Sequence, residues 1–190
     1  MMRLILASSS PRRRELLERA GFQFDVRPSH IEEIPLQGEK AEEFARRIAR
    51  EKALEVALAA EPGAMILGAD TVVASNKEIL GKPEGPSDAK RMLQMLSGRT
   101  HRVMTGICLV RAPRTVEAWT HQTTFVTFRE LDPEEIDRYV ASGEPFDKAG
   151  AYAIQGLASR FVTCIEGCYF NVVGLPVPLV YDIIKSLPPT

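Results

Sequence analysis

The stretch Leu4-Ile5-Leu6-Ala7-Ser8-Ser9-Ser10-Pro11-Arg12-Arg13-Arg14-Glu15-Leu16-Leu17 constrains the fold more than any other part of this chain. A short apolar β run ends in three serines, and a helix begins at once. Ser10 is a suitable N-cap, and Pro11 suits the first helical position, where its missing N–H costs nothing. Leu16, Leu17 and Ala20 mark the buried stripe, and Gly21 ends the helix. Arg12, Arg13 and Arg14 then fall in the first turn, where the helix dipole already carries partial positive charge. Each arginine is misplaced there by roughly 0.3–1 kcal/mol. Arg13 also lies three and four residues before Leu16 and Leu17, so it shares their inward face. Two readings are open: a solvated basic turn, or a bound polyanion met by backbone N–H groups, serine hydroxyls and guanidinium forks together. The strand, the serines and the tight turn favour the second, a phosphate site.

Composition narrows the partners. A chain of 190 residues can bury a good core as one domain, or as two small lobes sharing a sheet. The net charge of −1 supplies no overall field for nucleic acid, so any anion site is local. No apolar run approaches the ~20 residues that span a bilayer, and Arg3-Leu4-Ile5-Leu6 is too short for a signal peptide. Cys108, Cys164 and Cys168 lack framework spacing, which fits reduced thiols in a cytoplasm. Cys164 and Cys168 resemble half of a zinc site, but no second pair exists and His30, His101 and His121 are scattered.

The pattern predicts a short strand at 24–27, a polar loop at 28–38 with Glu32 and Glu33, and a long helix over 40–60. The apolar run 64–69 reads as a strand covered on both faces that delivers Asp70 at its carboxyl end. A hairpin turning at Asn76-Lys77 follows, then a helix capped by Ser87 and closed by Gly98. Residues 103–110 and 115–128 read as long antiparallel strands, and Asp132-Pro133-Glu134-Glu135 as a capped helix start. A loop of glycine, proline and small residues spans 143–156, strands are expected near 161–165 and 169–173, and a last helix over 178–187. This order predicts an α/β fold with a mixed sheet.

Several charges stand where apolar residues belong. Asp70 follows six apolar residues and either starts a turn or faces a ligand beyond the strand. Lys52 sits on the apolar stripe between Ile48 and Val56, where it either snorkels to solvent or reaches a buried anion. Lys82 is held between Gly81 and Pro83, and Asp147-Lys148 lies in a loop of small residues. Together the chain offers Arg12, Arg13, Lys52, Lys82 and Lys148 beside Glu33, Asp70 and Asp147. Cations for phosphate oxygens plus carboxylates for a hard divalent ion are the inventory of a metal-assisted phosphoanhydride hydrolase. Neither GxxxxGK[ST] nor GxGxxG is present.

With those residues assembled, the chain resembles the Maf family of nucleoside triphosphate pyrophosphatases over nearly all its length. The motifs are Ala7-Ser8-Ser9-Ser10-Pro11-Arg12-Arg13, Lys52-Ala53, Gly68-Ala69-Asp70-Thr71 and Gly81-Lys82-Pro83. They continue with Leu96-Ser97-Gly98-Arg99-Thr100-His101, Gly143-Glu144-Pro145, Asp147-Lys148-Ala149-Gly150-Ala151-Tyr152, Ile154-Gln155-Gly156 and Val172-Val173-Gly174-Leu175-Pro176. Ser9 stands where the family commonly has glycine or alanine, and Ala153 where it commonly has glycine. The resemblance implies an elongated mixed central sheet with flanking helices, in two lobes around a deep cleft, similar to inosine triphosphate pyrophosphatase. It implies a single Maf-like domain over 1–190, a cytoplasmic homodimer with no membrane or stable nucleic-acid partner, and a divalent cation, Mg²⁺ with Mn²⁺ or Co²⁺ as alternatives. It also implies Asp70 as proton acceptor and Ser8, Arg13, Glu33, Lys52 and Lys82 as polar active-site residues. Together with the residue inventory this leads us to expect Glu33 and Asp70 toward the metal, and Ser8, Arg13, Lys52, Lys82 and Lys148 on the triphosphate. The Arg12, Thr71 and Gln155 combination resembles the branch that acts on dTTP and UTP. Alternatives are the same reaction on a modified nucleotide, or a non-enzymatic nucleotide- or nucleic-acid-binding regulator, since the family is also named for inhibiting septum formation.

Overall fold

The computed structural model describes residues 3–76 and 78–188, so Lys77 of the expected hairpin turn lies outside the described residues. The elements in chain order are β1 (Leu4–Leu6), α1 (Pro11–Arg19), β2 (Phe24–Val26), α2 (Ala41–Leu58), β3 (Met65–Ser75), β4 (Glu78–Leu80) and α3 (Pro86–Leu96). They continue with β5 (Thr100–Arg111), β6 (Thr115–Phe128), α4 (Pro133–Ala141), β7 (Val162–Glu166), α5 (Tyr169–Val173) and α6 (Val177–Ser186). The strands form one seven-stranded mixed sheet in the order β2-β1-β3-β5-β6-β7, with β4 paired to β3. β1 runs parallel to both β2 and β3, while β3–β4 and β6–β7 are antiparallel. This is the predicted α/β class with a mixed sheet and flanking helices.

The chain divides into two compact units. The first comprises the chain up to Asp70, Thr105–Gln122 and the chain from Gly174 onward. The second comprises Thr71–Met104 and Thr123–Val173. In the first, α2 turns Ala49, Ala53, Val56 and Ala57 onto Ile5, Ala7 and Ile66 of the strands and onto Cys108 and Val110. The helix face is mostly alanine because the backbones come very close. A Cβ built on Gly68 of β3 would stand 2.1 Å from the Ala49 carbonyl oxygen, and one on Gly106 of β5 would stand 2.1 Å from that of Ala45. The second unit is packed on rings: His101, Phe128, Tyr152, Phe161 and Tyr139 meet edge to face at centroid distances of 4.8–5.9 Å.

Four expectations change. Ser10 occupies the N-cap position of α1, but its side chain makes no capping bond. α3 begins two residues earlier than a Ser87 cap allows, with Gly85 at the N-cap and Pro86 in the first turn. Residues 169–173 are the helix α5 rather than a strand. Their apolar run is too short for periodicity to decide, and the helix carries Asn171 inward, where Nδ2 donates to Val103 O at 2.9 Å and Thr124 Oγ1 at 3.0 Å. The loop 143–156 contains the 3-10 turns Glu144–Asp147 and Ala149–Ala151. The Asp132 cap forms as expected, its side chain accepting from Glu135 N at 2.8 Å.

Gly68→Ala tests the close approach of α2. The atom that the new methyl meets is backbone, which cannot swing away, so destabilisation at the upper end of overpacking costs, about 3 kcal/mol, is expected. A urea unfolding midpoint close to that of the parent would show that the helix can move off the strand cheaply.

Candidate active site

Asp70 does not end its strand. β3 continues to Ser75, because its second half pairs with β4 through Val73, Ala74 and Ser75. The strand that stops is the parallel neighbour: β1 pairs with β3 only through Leu67, extended by Ala7 N donating to Leu67 O at 2.9 Å. Asp70 therefore stands just beyond the carboxyl end of β1, where the chain turns away through the serines into α1. It is 5% exposed.

Lys52 settles its two readings in favour of a buried anion, and the anion is carboxylate. Its ammonium, 7% exposed, donates to Asp70 Oδ1 at 2.8 Å and lies 2.6 Å from Glu33 Oε1. Glu33 is 42% exposed and comes from an irregular segment, 28–40, that is tied along α2. Ser29 Oγ and His30 N both donate to Glu55, and Arg47 joins Glu39 and donates to Ile34 O at 2.9 Å. Arg13 is the second buried cation, also 7% exposed. Its Nη1 donates to Ser8 Oγ at 3.0 Å and its Nε to Gly174 O at 2.9 Å. The same Ser8 oxygen accepts from Ser10 N at 3.3 Å, so Ser8 rather than Ser10 braces the turn.

The electrostatics follow from burial. Removal from water pushes the Asp70 carboxyl above its ordinary range; the positive charges of Lys52 and Arg13 oppose that shift, and Glu33 adds to it. Burial likewise lowers the Arg13 guanidinium, while Asp70 and Glu33 help to keep it charged and Arg12 works against it. Ser8, Arg13, Glu33, Lys52 and Asp70 are thus brought together within the first unit. Arg12 is half-buried in the first turn of α1. In the second unit, Thr71 is half-buried next to Asp70 in β3, and Lys82 and Gln155 are exposed on loops. Lys148 is half-buried, donating to Glu144 O at 2.7 Å and to Asp147. The Gly174 carbonyl is a partner of Arg13 that sequence reasoning misses, because a backbone carbonyl 161 positions away leaves no local signal.

Among the described residues, no group of three or more His, Cys, Asp or Glu side chains is placed to hold a metal ion, and the three cysteines are free thiols. A zinc cage is not what this donor set resembles. Glu33 and Asp70, which converge on the Lys52 ammonium, are oxygen donors of the type used by a hard divalent ion that keeps waters and takes its remaining ligands from substrate phosphates.

Lys52→Met should expose the cost of the buried Asp70 charge. Removing the nearest cation raises the folded-state carboxyl pKa further, so the folded protein binds its proton more readily than the unfolded chain does. Stability is then retained at low pH and lost as pH rises through the folded value. The metal-free variant is expected to fall below the parent by about 3–5 kcal/mol at pH 8 and by clearly less at pH 5. Adding Asp70→Asn should restore most of the loss. Equal urea midpoints for parent and variant at both pH values would mean that Asp70 does not depend on Lys52.

Comparison with known proteins bears on the whole chain. The family model described as Maf-like protein matches residues 3–187. A protein of Koribacter versatilis named dTTP/UTP pyrophosphatase is 52% identical over 97% of this chain and 94% of its own length. One of the same name from Moorella thermoacetica is 51% identical over the same shares. Among solved structures, a HAM1 protein from Coxiella burnetii shares the fold, with a TM-score of 0.52 at 17% identity, covering 98% of this chain and 100% of that one. No helix among the described residues is long and apolar enough to cross a membrane. With its serine–arginine turn, its Lys52–Asp70 pair and a match over residues 3–187, this chain belongs to the Maf family.

Proposed function

We propose that this protein is a nucleoside triphosphate pyrophosphatase that hydrolyses dTTP and UTP to the monophosphate and pyrophosphate. The observation that carries this reading is the Asp70 carboxylate, buried and flanked by Lys52 and Arg13, in a chain about half identical to proteins bearing that name. Burial makes Asp70 a stronger base than a solvated aspartate, while the two cations favour its ionised form at neutral pH. A water held by Asp70 attacks the α-phosphorus. The new P–O bond forms as the bond to the bridging oxygen of the β-phosphate breaks, Asp70 takes the water proton, and pyrophosphate leaves with the electron pair. Ser8, Arg13, Lys52, Lys82 and Lys148 bind the triphosphate oxygens and offset charge that builds on the leaving group. Glu33 and Asp70 would hold the divalent cation, Mg²⁺ in the first instance, with Mn²⁺ or Co²⁺ as alternatives. When bound, such an ion supplies Lewis-acid charge against phosphate oxygens. The same reading places the enzyme in the cytoplasm as a homodimer, without a stable nucleic-acid partner.

The base preference rests on hydrogen-bond patterns. Thymine and uracil present two carbonyl acceptors flanking one N3–H donor. Gln155 offers a donor and an acceptor in one amide, and Arg12 and Thr71 supply further donors.

Asp70→Asn keeps shape but removes the proton acceptor, and a loss of at least ~100-fold in turnover is expected. Phosphate release from a panel of nucleoside triphosphates, with inorganic pyrophosphatase added, measures it. Metal-dependent turnover with dTTP and UTP ahead of the purine nucleotides is the expected result. Tight binding of labelled single-stranded DNA without turnover would overturn the enzymatic reading. Gln155→Leu should narrow the gap between UTP and GTP about ten- to a hundredfold while pyrophosphate release persists. Equal efficiency on ATP, GTP and UTP in the parent would overturn the pyrimidine assignment alone.

A further inference from the structure

Gln155 lies in an exposed turn that is fastened on both sides by side chains from outside it. Two residues before it, Ala153 N donates to the Tyr139 hydroxyl at 3.3 Å, and that hydroxyl donates to Glu144 Oε1 at 2.8 Å. Two residues after it, Leu157 N donates to Glu144 Oε2 at 3.0 Å. One carboxylate therefore holds both flanks of Gln155, directly on one side and through a single phenol on the other. Tyr139 belongs to α4, is fully buried, and packs edge-on against Phe161 at 5.1 Å, so the core fixes its hydroxyl. Gly156 completes the fit. A Cβ there would stand 2.3 Å from Glu144 Oε2, so the carboxylate lies directly against the turn's backbone. Lys148 Nζ donates to the Glu144 carbonyl oxygen at 2.7 Å and steadies the same residue from its backbone.

We propose that Glu144, acting with Tyr139, is a positioning residue for base selection: it sets where the Gln155 amide stands without itself touching the nucleotide. This rests on the reading of Gln155 as a base contact. An amide distinguishes one arrangement of donors and acceptors from another only when its orientation is fixed before the ligand arrives; on a loose turn it adapts to whatever base is present. The two carboxylate oxygens each take one donor. Glutamine at 144 offers a single acceptor oxygen and an NH₂ group, which leaves one of the two fastenings badly matched.

The test measures kcat/KM for UTP and for GTP, with thermal melting, in the parent and in Gln155→Leu, Glu144→Gln, Tyr139→Phe and Gly156→Ala. Glu144→Gln and Gly156→Ala disturb one contact from opposite sides. Each is expected to lower the UTP-to-GTP ratio about tenfold, and the double variant to lower it no further than either alone. Tyr139→Phe, which leaves the Leu157 bond intact, should lower it by a smaller factor. A role in folding alone would lower the melting temperature and reduce both nucleotides in proportion; an unmoved ratio overturns the proposal. If Gln155→Leu shifts the ratio while the other three do not, Glu144 is no positioning residue and the reading of Gln155 stands. If Gln155→Leu itself leaves the ratio unmoved, the base contact is elsewhere and the proposal falls with it. Glu144→Asp, which keeps the charge but is one methylene short, serves the same comparison should Glu144→Gln be insoluble.

Discussion

A lysine ammonium buried between two carboxylates sets demands on everything around it. Taking Lys52 and Asp70 out of water costs several kcal/mol per ion, and the attraction between them offsets this only at close range with good geometry. The 2.8 Å contact exists because α2 lies almost on the backbone of β3, and that approach is possible because Gly68 faces Ala49 and Ala53 with no side chain of its own. The alanine face of the helix, the glycine in the strand and the ion pair are thus one arrangement. Lys52 stands on the stripe that Ile48, Ala49, Ala53 and Val56 bury, so the packing that covers those residues also draws the ammonium inward.

Arg13 repeats the pattern by a different route. Its guanidinium spans two segments, meeting the Ser8 hydroxyl in the turn before its own helix and the Gly174 carbonyl in the segment before α6. A planar fork held at two edges has little freedom left, and it keeps its charge through burial better than a lysine would. Opposing shifts at Arg13 and Asp70 express the same fact: each is penalised by desolvation and supported by the other's charge.

Local features of this architecture were legible in the sequence where a residue broke its own pattern. Arginine in the first turn of a helix, lysine on an apolar stripe and aspartate directly after a buried apolar run each stand out, and all three lie in one buried network within the first unit. What could not be read is set by partners far along the chain. Nothing near Asn171 announces that Val103 O and Thr124 Oγ1 await its amide, so a short apolar run was expected as strand and folds as α5. Nor does the apolar run ending at Ala69 reveal that β3 carries on to Ser75, since that half is held by β4 rather than β1. Ser10 shows the converse: despite a strong local preference for capping its side chain makes no capping bond, and its own N–H donates to Ser8 Oγ.

The segment 28–40 has no regular structure, yet it is not left to itself: Glu55, Lys52 and Arg47 grip it at three successive places along α2. The two carboxylates that share Lys52 therefore differ in kind. The Asp70 backbone is part of a sheet, whereas Glu33 hangs on an arm without regular structure that is held to α2 by the side chains of Arg47, Lys52 and Glu55. Contacts of that sort open at far lower free energy than a core strand does. The site thus pairs an oxygen carried by a sheet with one on a tether, and how readily the second lets go depends on the conformational entropy its arm regains as well as on its charge pairing with Lys52.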